Sequence, residues 1–127
     1  MTKTRYMLYC DAYNTMLFID FMFGMTTVTT QELHELQTAD QTIRIIDVRS
    51  PEEFADGHIP HATNIPSNEI QARITEFESE TPVYIVCASG SRSMLATAFC
   101  VRAGMKHVVN VKGGTSAWSA AGFPLEQ

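Results

Sequence analysis

The sequence predicts an α/β domain of three layers, a mostly parallel central sheet flanked by helices. Two observations carry that prediction. After residue 25, short β-branched runs alternate with segments of helical spacing, the pattern of successive βα units. The runs "IRIIDV" at 43–48 and "PVYIVC" at 82–87 are compact and rich in β-branched residues, as expected of strands covered on both faces. A length of 127 residues suits one domain with one substantial core. That domain is expected over residues 26–127, preceded by an extension over 1–25.

The elements follow in order. Thr29, with Glu32 three residues on, fits a capping box ahead of "QELHELQ", where Leu33 and Leu36 share a helix face. The strand "IRIIDV" comes next. Ser50, Pro51 and Glu53 in "SPEEF" then supply a cap, a proline at the first helical position and a glutamate three residues after the cap. "GHIPHATNIP" reads as a turn, a short strand around Ala62–Ile65 and a second turn set by Pro66. In "SNEIQARITEF", Ile70, Ile74 and Phe77 fall at helical spacing behind a Ser67 cap. The strand "PVYIVC" leads to "SMLATAFCVRAG", a helix ending at Gly104. "HVVNVKGG" gives a further strand, and "TSAWSAAG" a last short helix closed by Gly122 and Pro124. Ligands of such sheets sit beyond the carboxyl ends of the strands, which is where Cys87 falls.

Composition narrows the function. A net charge of −5 and an isoelectric point near 5.2 exclude a broad nucleic-acid or acidic-membrane surface, so neither partner is expected. Any anionic substrate must be held by a local device. Cys10, Cys87 and Cys100 form an odd set without C-x-x-C pairing, unlike a disulfide framework or a zinc site. Free thiols in a reducing cytoplasm are the simplest reading. The stretch "YMLYCDAYNTMLFIDFMFGM" is richer in aromatics and methionine than anything after it. Asp11 and Asp20 interrupt it, its longest apolar run is far below the roughly 18 residues of a spanning helix, and no small-residue cleavage site follows. Two readings stand: a segment that packs on the domain or a partner, or a translation start placed too early. "MTTVTTQELHEL" opens cleanly on its own and favours the second, with Met25 as the natural first residue.

The chemistry concentrates in "VYIVCASGSRSMLATAF". A thiolate is the reactive form of cysteine, and its free pKa of about 8.5 falls to roughly 3.5–7.5 beside a cation or at a helix N-terminus. Cys87 is placed for both influences. The helix beginning near Ser91 or Arg92 presents unpaired N–H groups to the loop, and Gly90 with its small neighbours lets successive amides curl inward as an anion-binding nest. Arg92, five positions after the cysteine, is placed to return its guanidinium to the rim. A merely buried strand cysteine is the competing reading. The joined strand, small-residue loop, arginine and helix outweigh it.

"CASGSRS" resembles the active-site loop of rhodanese-type sulfurtransferases. "DVRSPEEFADGHIPHATNIP" at 47–66 and "GGTSAWSAAGFP" at 113–124 resemble the family's N- and C-terminal signatures, so the resemblance spans about Val28 to Pro124. It implies a rhodanese-like three-layer fold and a cysteine that alternates between thiolate and persulfide. On that resemblance Cys87 attacks the outer sulfur of a small anionic donor such as thiosulfate, releases sulfite, and yields the sulfur to cyanide or a thiol. The amides of Ala88, Ser89, Gly90, Ser91, Arg92 and Ser93 cradle the persulfide, and Arg92 orients the donor. No metal or organic cofactor is implied, because the cysteine carries the sulfur covalently.

Two rivals are weighed against this reading. One is a carrier module that takes sulfur from a protein donor and hands it to a partner. The other is a cysteine phosphatase or arsenate reductase; phosphatases on this fold use C-x5-R, whereas this chain has C-x4-R. Ala88 also stands where thiosulfate-preferring members often carry a basic residue, and the loop differs from the C-G-[ST]-G-V-[TA] type associated with mercaptopyruvate.

Other residues carry structural expectations. Asp47 and Arg49 are read as a charge cluster with Glu53 that anchors a turn rather than as catalytic groups. His58 and His61 have no third ligand nearby for a metal, and His58 is expected to bond backbone in the Gly57 turn. Cys100 is expected as a packed core cysteine rather than a resolving thiol for Cys87, and Trp118 in the core or at its rim, packing against the final turn.

Overall fold

The computed structural model describes residues 25–127, so Cys10 and the rest of the expected extension up to residue 24 lie outside the described residues. Five parallel strands form the sheet: β1 (Thr26–Thr29), β2 (Arg44–Asp47), β3 (Thr63–Asn64), β4 (Val83–Val86) and β5 (Val108–Lys112), in the spatial order β1-β5-β4-β2-β3. Helices α1 (Thr30–Ala39), α2 (Pro51–Asp56), α3 (Ser91–Arg102) and α4 (Gly114–Ala120) alternate with them. Among the described residues no helix is long and apolar enough to cross a membrane.

Both faces of the sheet are covered, which is why its strands are apolar on consecutive residues. Period-2 alternation sends Ile45, Tyr84, Val86, Val109 and Val111 to one face, where they meet Leu33 and Leu36 of α1 and Trp118 of α4. Ile46, Val83, Ile85, Cys87 and Val108 go to the other, with Ala96 and Cys100 of α3 and Ile70 and Phe77. Trp118 is fully buried and its indole N–H donates to the Pro124 carbonyl at 2.8 Å, the packing against the final turn that its position suggests.

The capping boxes form as expected. Thr29 and Glu32 exchange backbone–side-chain bonds at 3.1 and 2.9 Å, and Ser50 and Glu53 do so at 3.2 and 3.1 Å. Gly104 takes the left-handed conformation just past α3, its N–H reaching the Val101 carbonyl at 3.0 Å.

One local expectation changes, and one strand is added. "SNEIQARITEF" is not one helix capped by Ser67: it is two 3₁₀ segments, Ser67–Glu69 and Ile74–Phe77, and no side chain caps the first. Ile70 and Phe77 are buried and Ile74 packs partly buried against the same cluster, so the spacing marks the inward side although the backbone turns more tightly than an α-helix. β1, a Thr-rich edge strand, carries no apolar run of its own; it forms because Thr26–Thr29 pair with Val109–Lys112 of β5.

The strand order sets the position of the site. From β2 the chain moves outward to β3, then crosses back to β4 and on to β5. The order therefore reverses between β2 and β4, and the crevice at the carboxyl ends of these strands is where parallel sheets bind ligands. Cys87 follows β4 at that point.

Candidate active site

Cys87 ends the central strand with its side chain directed to the α3 face. The next three residues form a bend, and Gly90 caps α3 at φ 108°, ψ −11°, a conformation that favours glycine. A Cβ at Gly90 would also lie 3.2 Å from the Gly113 amide nitrogen. This turn folds the loop over the sulfur, and the Gly90 N–H donates to Cys87 Sγ at 3.1 Å.

A second layer supports the loop. The Thr115 and Ser116 amides, in the first turn of α4, donate to the Cys87 and Ala88 carbonyls at 2.9 Å each. Gly114, at φ 60°, permits this approach: a Cβ there would run into the Cys87 carbonyl oxygen. The glycine pair after β5 thus lets α4 hold the cysteine loop from behind.

Ser93 is fully buried and faces the sulfur. In the thiol form Cys87 S–H donates to Ser93 Oγ at 3.4 Å, while the Ser93 hydroxyl reaches Asn110 Oδ1 at 2.8 Å and the Gly90 carbonyl at 3.1 Å. Asn110 is a buried amide in the apolar strand β5, a position at which an unpartnered polar group would be costly. An asparagine inside "HVVNV" was the available signal for it.

These contacts decide the acidity of the thiol. Burial pushes the Cys87 pKa up, but the Ser93 side-chain bond and the N–H groups of Ser93, Gly90 and Ser89 outweigh it, so the thiol sits below its ordinary value. A sulfur in this setting is a nucleophile, and negative charge gained by an atom attached to it meets aimed N–H donors.

The expected loop residues therefore separate. Ser89, Gly90 and Ser93 present donors to the sulfur. Ala88 gives its carbonyl to α4, and Ser91 opens α3 on the exposed side. Arg92 stands beside the loop, but its guanidinium is paired with Glu53, with Nη1–H to Oε1 at 2.8 Å and Nη2–H to Oε2 at 2.9 Å. The Glu53 hydrogen bonds are the first cause of its raised pKa, and the Cys87 and Asp47 charges add to it.

The charge cluster expected at Asp47, Arg49 and Glu53 is divided. Arg49 binds Asp47 with contacts of 2.9–3.1 Å and donates to the Gly57 carbonyl at 2.7 Å, while Glu53 turns away to Arg92. The buried Asp47–Arg49 pair lies just before α2, the helix that carries Glu53. His58 does bond backbone, through Nδ1 at 2.8 Å from the Phe54 carbonyl.

Comparison with known proteins agrees with this geometry. A family model described as the rhodanese-like domain matches residues 29–121. A sulfurtransferase of Allochromatium vinosum is 33% identical over 98 residues, covering 77% of this chain and 92% of its own. YrkF of Bacillus subtilis, provisionally named a sulfur carrier protein, is 37% identical over 81 residues, covering 64% of this chain and 44% of its own. The crystal structure of a rhodanese-like domain protein from Staphylococcus aureus superposes with a TM-score of 0.72 at 36% identity, covering 81% of this chain and 100% of that one.

Proposed function

This chain belongs to the rhodanese-like domain family, and from that premise we propose that it is a sulfurtransferase acting through a Cys87 persulfide. The observation that carries the reading is the sulfur itself, buried at the carboxyl end of β4 with the Gly90 N–H at 3.1 Å and a pKa held below the ordinary thiol value. The thiolate attacks the outer sulfur of a donor such as thiosulfate. A bond forms from Cys87 Sγ to that sulfur, the donor's S–S bond breaks, and sulfite leaves with the electron pair. The N–H groups of Ser89, Gly90 and Ser93 then face the carried sulfur. Cyanide or a thiol attacks it, and the Cys87 thiolate returns. Every step is nucleophilic displacement at sulfur, which the cysteine performs without a bound cofactor.

We assign the catalytic unit to residues 26–127 and the working compartment to a reducing cytoplasm, where Cys87 and Cys100 stay free. The similarity to YrkF supports a second reading, a carrier loaded by a protein donor. The two separate on exposure to thiosulfate alone: sulfite release and a cyanide-labile persulfide on Cys87 support the enzyme. Loading only by a protein persulfide supports the carrier, and no loading by either donor contradicts both.

A further inference from the structure

The ion pair beside the cysteine loop joins residues 39 apart in the chain. Arg92 and Glu53 meet in a two-bond contact, a pairing in which a guanidinium and a carboxylate hold each other strongly. Glu53 is already fixed from behind, because its Oε1 accepts the Ser50 N–H at 3.1 Å within the α2 capping box. Ala88, Ser89, Gly90 and Ser91, between the sulfur and Arg92, carry no charge. The Asp47–Arg49 pair at the end of β2 is internally neutral as well. The Arg92 bond holds the Glu53 carboxyl down at about 2, with the Ser50 N–H assisting, so Glu53 is ionised wherever a thiolate works.

We propose that Glu53 is the specificity residue of the Cys87 site: by pairing with Arg92 it neutralises the loop's own cation, favouring sulfur donors that depart as thiols over small dianions such as thiosulfate. The inference rests on the sulfur-transfer reading above and narrows its donor class. In the favoured reaction Cys87–S⁻ attacks the outer sulfur of R–S–SH. The new S–S bond gives Cys87–S–SH, the donor's own S–S bond breaks, and R–S⁻ leaves with the electron pair. The product bears one negative charge near the loop, whereas thiosulfate brings two and releases two as sulfite. The helix N-terminus and amides answer the single charge; a second requires a free guanidinium, which Glu53 holds.

Glu53→Gln tests this, since glutamine keeps the capping box while removing the charge. The full chain is alkylated with iodoacetate and with iodoacetamide, and the rates are read on the Cys87 peptide. The iodoacetate-to-iodoacetamide ratio is expected to rise about two- to five-fold in Glu53→Gln, the scale of a half-exposed pair, and to drop below wild type in Arg92→Gln. The kcat/KM for thiosulfate relative to glutathione persulfide is expected to move the same way. An unchanged or lower ratio in Glu53→Gln overturns the proposal. If neither donor loads Cys87 the sulfur-transfer reading fails, while the alkylation ratio still judges Glu53.

Discussion

Cys87 and Cys100 belong to one apolar cluster and are equally hidden, at 1% and 0% exposure, yet they differ as acids. Burial alone acts on Cys100 and pushes its thiol up to about 11. Burial acts on Cys87 too, but the Ser93 hydroxyl and three backbone N–H groups reverse it. Cys100 lies inside α3, where the backbone N–H groups are engaged along the helix; Cys87 lies where a strand ends and a helix begins, with donors still free to aim. Acidity here follows backbone position rather than exposure.

The sharpest way to break this contrast is to exchange the sulfurs. Cys87→Ser should reduce sulfite release from thiosulfate by about three orders of magnitude or more, because no nucleophile remains, whereas Cys100→Ala should stay within about two-fold of wild type. Comparable losses in both would contradict the contrast.

A smaller but still large effect is expected behind the loop. Gly114→Ala forces a Cβ against the Cys87 carbonyl at φ 60°, and should cost about 2–3 kcal/mol in urea unfolding, with slower Cys87 alkylation. Retention of both wild-type stability and wild-type alkylation would mean that the close packing of α4 does not hold the loop.

Ser93→Ala removes the first of the opposing donors. The thiolate titration at 240 nm should move up toward the ordinary thiol range, and alkylation at neutral pH should slow by about three- to ten-fold. A downward shift would contradict the role given to the hydroxyl.

The mildest effect falls on Cys100. Cys100→Ala should lose about 1 kcal/mol from the core at neutral pH. Its pH dependence carries the sign of the contrast. A thiol whose folded pKa is raised contributes stability below its unfolded value near 8.5, and that stability is lost as pH rises through about 11. Cys87, with a lowered folded pKa, contributes in the opposite direction, its share present above the unfolded value and lost as pH falls through the folded one. The alkaline fall in stability between roughly pH 9 and 11 should therefore be shallower in Cys100→Ala than in wild type. Identical slopes would show that Cys100 ionises equally in both states.

Much of this contrast was legible in the chain, for reasons that differ by residue. Ile45 and Val86 lie in strands covered on both sides, so composition and strand assignment coincided. The Thr29 and Ser50 caps are local chemistry and formed as written. Cys87 was legible because strand, small-residue loop and helix follow one another in sequence. β1 was not, because its pairing with β5 joins residues more than 80 positions apart, and no local pattern encodes that partner. The 3₁₀ path at Ser67–Phe77 was hidden for a related reason: helical spacing records which side chains are buried, not how tightly the backbone turns. Glu53, expected in a cluster with Asp47 and Arg49 because they are near in sequence, pairs instead with Arg92, which is near only in space.

The account's central claim is that Cys87 carries sulfur. Intact-mass measurement of the pure protein after incubation with thiosulfate and with glutathione persulfide tests it directly. The predicted result is a gain of about 32 Da, one sulfur, from at least one donor, removed by cyanide, mapped to the Cys87 peptide and absent from Cys87→Ser. No gain from these donors or from a protein persulfide, or a gain that persists in Cys87→Ser, would contradict it.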